Sequence, residues 1–226
     1  MRKLIRLFGI GLILAGLVLG GLAVHRNWQR NHAYDEAQRA LRAQLAQPTG
    51  RDSPAVGAAT PRTEPGARER NGRPTREPGP REGAALAVLR VPRFGPGYHP
   101  VVVEGVGQGD LAKGPGHYPG SALPGAVGNF AVAGHRTGWG EPFRRLDELV
   151  RGDALVVEWR GRTYTYQVTA TKTVKPTDVG VVLPVPNKPG ATPDKARITL
   201  TTCADRDPVT RAYTHRLIVW GQLRRS

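Results

Sequence analysis

A single cysteine stands among the 226 residues, Cys203, closing the alternating run Arg197-Ile198-Thr199-Leu200-Thr201-Thr202. One thiol can form no disulfide within the chain and cannot build a multi-cysteine zinc or iron–sulfur site. It is therefore a small buried hydrophobe or a reactive group. Strand alternation puts Ile198, Leu200 and Thr202 on one face and Thr199, Thr201 and Cys203 on the other. A thiol at a strand end that opens into a loop can meet a substrate. As a nucleophile it needs a neighbouring base or cation.

Six histidines are available as the base. His25 and His32 fall in the N-terminal segment. His135 ends the apolar run Asn129-Phe130-Ala131-Val132-Ala133 after Gly134, so a strand-end imidazole and a strand-end thiol can share one rim; His99, His117 and His215 are rivals. Arg216 opens Leu217-Ile218-Val219-Trp220, thirteen residues beyond the cysteine. If the last two strands pair antiparallel, its guanidinium lies near the thiol and can donate to a developing oxyanion. Arg211 is a second candidate, although the register before Leu217 favours Arg216.

Those three side chains need a scaffold, and residues 84–226 read as all-β. Short apolar runs at 85–91, 98–106 and 129–134 are bounded by Gly and Pro. The clearest hairpin lies between Trp159 and Tyr164, around Arg160-Gly161-Arg162, with Tyr164, Tyr166 and Val168 along one face. Two further strands follow near 196–202 and 215–223. Phe143, Leu146 and Leu149 recur at threes with Gly152 behind them, which predicts a short helix over 141–150. Six to eight short strands with one or two helices indicate a closed or nearly closed barrel. The polar, Pro-rich stretch 172–195 joins two of the strands, a length that is usually functional or disordered.

Ahead of the barrel the chain changes character twice. Residues 7–24 carry no charged side chain, with Arg2, Lys3 and Arg6 before them and His25, Arg26 and Arg30 after. At about 1.5 Å per residue this run just spans a thin hydrocarbon core. We read 1–27 as an uncleaved membrane anchor with the bulk of the chain outside the cell, against the rival of a cleaved signal peptide. Residues 28–46 favour helix, with Ala37, Leu41 and Leu45 at fours. From 48 to 83, Pro, Gly, Arg and Glu dominate; too little apolar surface is present to offset ordering entropy, so a disordered tether is expected. The expected domains are the anchor at 1–27, a juxtamembrane helix and linker at 28–83, and the barrel at 84–226.

The joint pattern Thr199-Leu200-Thr201-Thr202-Cys203, Gly134-His135-Arg136 and Arg216-Leu217-Ile218-Val219 resembles the sortase family, the membrane-anchored cysteine transpeptidases of Gram-positive envelopes. The segment 114–153 is most similar to the class E sortases of actinobacteria. The resemblance covers nearly all of 84–226 and implies a closed eight-stranded β-barrel. It further implies that Cys203 attacks a Thr–Gly carbonyl, that His135 protonates the leaving amine and later accepts a proton from the incoming one, and that Arg216 steadies the oxyanion. Tyr118 then takes the position associated with LAxTG rather than LPxTG signals, and Thr201 and Thr202 line the cleft. The implied partners are secreted proteins with a C-terminal sorting signal, an amine of the cell wall or its precursor, and the membrane through the N-terminal helix. No metal and no cofactor are expected.

Two other readings stay open. A hydrolytic cysteine peptidase would use the same three residues. A tethered basic module for anionic wall polymer or nucleic acid would draw on the net charge of +15. Against the second, acids interleave with the bases, and aromatic residues make up only 6% of the chain. Nucleic acid is accordingly not expected as a partner.

Overall fold

A computed structural model describes residues 2–47, 79–207, 210 and 212–224, and the side chains of these except 2–13, 15 and 206. Eight strands close into a barrel: β1 (Ala85–Arg90), β2 (Val101–Glu104), β3 (Gly116–His117), β4 (Gly128–Ala133), β5 (Ala154–Trp159), β6 (Arg162–Val174), β7 (Ala196–Arg206) and β8 (Tyr213–Leu223). Their order around the barrel is β1-β2-β3-β4-β7-β8-β6-β5, and the β1–β5 pairing closes it. Two pairings, β2–β3 and β4–β7, are parallel; the rest are antiparallel. Full closure leaves no sheet edge open.

Alternation explains the core. Phe130 and Val132 of β4, Leu155 and Val157 of β5, Ile198 and Leu200 of β7, and Val219 of β8 are fully buried in one cluster. Tyr166 and Val168 of β6 join it, with Tyr164 packed at its edge, so the face read from the hairpin is the inner face. Each such side chain contributes about 1.5–3 kcal/mol by leaving water. The hairpin turn is the two-residue Arg160-Gly161, both at positive φ (48° and 71°), because Trp159 pairs Arg162 directly.

Several boundaries differ from the sequence reading. The region 141–150 is not a helix: only Leu146–Glu148 form a 3₁₀ turn. Phe143, Leu146 and Leu149 are nonetheless all buried in the core. The positive φ of Glu141 (49°), following Trp139 and Gly140 also at positive φ, keeps this backbone out of helical register. In the other direction, β6 runs on to Val174, which shortens the connection to β7, and that connection carries a 3₁₀ turn at Val179–Val182. The chain also holds a short helix, α2 (Gln108–Leu111), and the two-residue strand β3, both too brief to leave a periodic signal.

At the N-terminus, α1 runs unbroken from Arg2 to Ala46, so no helix boundary falls at 27/28. Its last turns dock on the barrel. Leu41 is buried against Val101 and Val103, whereas Leu45 is exposed. Gln38 acts as a surrogate strand neighbour: its amide accepts from Val101 N (2.7 Å) and donates to Val101 O (3.1 Å) and Lys113 O (2.8 Å). Among the described residues no helix is long and apolar enough to cross a membrane. The apolar run 7–24 extends back into positions whose side chains lie outside those described. The tether expectation for 48–83 falls mostly on 48–78, which also lie outside them.

Candidate functional site

The β7–β8 ladder decides the first pair. Cys203 lies directly opposite Arg216, with Thr202↔Leu217 and Ala204↔His215 on either side. Cross-strand partners share a face, with Cβ atoms about 4.5–5.5 Å apart. That face is the outer one, since Leu217 and Val219 point into the core while Ile218 and Trp220 pack outside it. The cysteine is not at a strand end, because β7 and β8 continue pairing as far as Arg206↔Tyr213. Arg211, the alternative arginine, lies outside the described residues.

A second, parallel ladder brings in the histidine. Ala133 of β4 pairs Thr201 of β7, and Gly134 N donates to Thr201 O at 3.0 Å. Two residues beyond that rung come His135 after β4 and Cys203 on β7, so the register carries the histidine toward the cysteine. Thr202 locks this register, donating its hydroxyl to Gly134 O at 2.8 Å. Thr202 is therefore 2% exposed and committed to the backbone of the histidine loop, on the face opposite Cys203. Thr201 shares the face of Cys203 and is 6% exposed. Cys203 and His135 themselves are half-buried, and the thiol is free.

Phe143 supports the loop from behind, a role its sequence position did not reveal. Its N–H donates to His135 O at 3.0 Å, and its ring packs on Gly134 so closely that a Cβ there would lie 2.6 Å from a ring carbon. Gly134→Ala is thus expected to overpack the site by about 1–3 kcal/mol, lowering the melting temperature and displacing His135. Unchanged melting and turnover would remove Phe143–Gly134 contact from the account.

Burial pushes the His135 imidazole below its ordinary value of 6.5, with no carboxylate among the causes. As pH falls through 6.5, the unfolded chain takes up a proton that the folded one resists. This site's stability is then complete above that pH and declines toward the lowered value. Thermal melts from pH 8 to pH 5 should show the wild type losing more stability than His135→Gln. Parallel losses in both would count against the burial effect.

Tyr118 follows β3 and extends its pairing, with its N–H on Ala131 O at 2.9 Å. Alternation from His117, whose partner Val132 is a core residue, turns Tyr118 outward to the face that carries Cys203. Burial raises the phenol, and the Arg216 charge acts against that rise. Arg216 holds its own orientation by donating Nη1 to His215 O at 3.1 Å. The connection between β6 and β7 covers the lower part of the same face. There Val181 O accepts from Thr199 Oγ1 and Trp220 Nε1.

The rival histidines have other partners. His117 is 1% exposed, with Nδ1 2.6 Å from Glu104 Oε2 and Nε2 2.8 Å from Ser121 Oγ, tying down the turn after Tyr118 inside the barrel. His99 meets Arg42 Nη2 at 3.0 Å, and His215 faces Asp205 at 3.3 Å. Of the described histidines, His135 alone directly follows β4, the parallel neighbour of the strand that carries the thiol. Glu104, with no sequence signal of its own, became legible only through its pairing with His117.

The barrel that carries this thiol, the arginine opposite it and the histidine just past β4 is similar to known proteins. Residues 89–224, more than half of the chain, match the sortase domain model. The chain is 36% identical over 161 residues to sortase SrtE1 of Streptomyces coelicolor, covering 66% of this chain and 43% of that one. It is 32% identical over 143 residues to sortase D of Bacillus subtilis, covering 63% of this chain and 66% of that one. It thus spans less than two thirds of these curated relatives. Among solved structures it is similar to sortase E from Streptomyces avermitilis (41% identity, 64% of this chain, 91% of that one, TM-score 0.56). It is similar also to SrtA sortase from Actinomyces oris (36% identity, 65% of this chain, 83% of that one, TM-score 0.59). With a matching domain model and an eight-stranded barrel of the same form, this chain belongs to the sortase family.

Proposed function

We propose that the chain is a cysteine transpeptidase of class E type, cutting the Thr–Gly bond of an LAxTG or LPxTG sorting signal and passing the acyl part to a cell-wall amine. The observation that carries this is the Cys203–Arg216 cross-strand pair with His135 carried toward it by the parallel β4–β7 register. The thiol proton passes to His135 and the sulfur attacks the threonine carbonyl carbon. Arg216 donates hydrogen bonds to the oxygen as it gains charge. His135 then protonates the glycine nitrogen, the C–N bond breaks, and a thioester remains on Cys203. An incoming amine attacks the thioester, His135 takes its proton, and the C–S bond breaks with the thiol restored.

Tyr118 forms a wall of the groove beside Arg216, where it would meet the residue after leucine in the signal. Thr201 lies under the thiol, and Thr202 keeps the histidine loop in register. The apolar end of α1 anchors the chain in the cell membrane, leaving the barrel outside the cytoplasm. In support, Leu17, Val18, Leu19 and Val24 are all more than half exposed, on a helix whose far end is docked.

Transfer and hydrolysis separate by product analysis. With an LAxTG peptide and an added glycine-based amine, the ligated product should exceed the free acid several-fold. Free acid as the sole product at saturating amine would favour the hydrolytic peptidase.

A further inference from the structure

A second polar site lies away from the thiol, between the docked end of α1 and the barrel. It is a groove of about 490 Å³. Tyr34 lines it and is 8% exposed, its ring pressed against Gly140. Its hydroxyl has no hydrogen-bond partner among the described residues, although it is not sealed from the groove. A phenol O–H that opens on a groove without an acceptor in the chain is available to an acceptor from outside it.

Arg39 and Arg42, one and two turns further along α1, line the same groove. Arg39 uses only Nε, on Asp35 O at 3.3 Å, and Arg42 only Nη2, on His99. Neither has a carboxylate within ion-pair distance among the described residues. The arginines on the barrel side differ, since Arg144 is held by Glu141 at 2.6 Å and Arg145 by Glu148 at 2.7 Å. The remaining acid, Asp35, is exposed to water, so the uncommitted N–H groups of two guanidiniums and one phenol O–H line a cavity with a single hydrated carboxylate beside them.

From this we infer that the groove binds a phosphoryl group, with Tyr34 Oη and the free N–H groups of Arg39 and Arg42 as donors. Guanidinium forks match two phosphate oxygens at once, and the phenol supplies a third bond to the same group. The source is a soluble phosphate ester rather than a phospholipid headgroup. With the apolar end of α1 in a bilayer, the helical rise from Val24 puts Tyr34 about 15 Å and Arg42 about 27 Å beyond the hydrocarbon. Headgroups occupy only about 5–7 Å. This site goes beyond the transpeptidase reading and does not rest on it apart from the membrane placement.

The test is calorimetric titration of the full chain, in neutral detergent micelles, with glycerol 3-phosphate. One saturable site is expected, weakened about tenfold in Tyr34→Phe, which removes a single oxygen, and lost in Arg39→Gln/Arg42→Gln. Cys203→Ala should bind as the wild type does, so failure here and failure of the catalytic proposal are read separately. Absence of saturable binding, or affinity unchanged in both variants, overturns the site. Equal affinity for malonate overturns the phosphoryl assignment, and binding only to phosphatidylglycerol vesicles overturns the soluble source. If the double variant melts early, Tyr34→Phe decides alone.

Discussion

Cys203→Ala should leave a folded barrel that forms no covalent product. The side chain is half-buried on the outer face, so its loss opens no core cavity, and the β7–β8 ladder on either side does not depend on it. Chemistry, by contrast, loses the only atom that can carry the acyl group. Removal of a nucleophile costs about 10⁴–10⁶-fold in turnover, the remainder coming from binding and oxyanion contacts. Intact-mass measurement after incubation with an LAxTG peptide checks it directly. The wild type should gain the mass of the acyl fragment, and the alanine variant should gain none. Peptide cleavage by the variant at the wild-type rate would remove Cys203 as the nucleophile from both the transpeptidase and the peptidase readings, whereas no adduct and no cleavage with either protein would leave a binding module.

Arg216→Ala should lower kcat by about 10²–10³-fold, the range for deleting one oxyanion donor, with a smaller change in KM. Arg216 pairs Cys203 across the strands, and its guanidinium is oriented through Nη1 on His215 O. Its help is greatest when the carbonyl oxygen carries charge, so the loss falls on the chemical step. Arg216→Lys should recover only part of the rate, because an ammonium is a point charge without a planar fork. Steady-state kinetics on all three proteins separates the cases. A rise in KM alone, with kcat intact, would make Arg216 a binding residue for the ground state.

The parts of this arrangement that follow local rules were readable before any fold was known. Alternation in β6 gave Tyr166 and Val168 their inward face, and alternation in β7 separated Thr201 and Cys203 from Ile198 and Leu200. Spacing at threes found Phe143, Leu146 and Leu149 as core residues yet misread their backbone as a helix. Burial follows from side-chain type, whereas helix formation also needs backbone angles that Glu141 and its neighbours do not adopt. The family resemblance implies a cleft position for Thr202, whereas alternation sets it on the face opposite Cys203, where its hydroxyl serves Gly134.

Residue chemistry and strand periodicity thus carried the candidate thiol, the types of its candidate partners, and a β-barrel, because each depends on neighbours a few positions away. Long-range pairing supplied the rest. The parallel β4–β7 register carries His135 toward Cys203 across 68 residues of chain, and the β7–β8 register sets Arg216 opposite. The burial of Glu104 with His117, and the groove that α1 makes against the barrel, arise in the same way. Such contacts join segments whose relative placement is set by closure of the whole barrel, and no local pattern encodes which side chains will meet there.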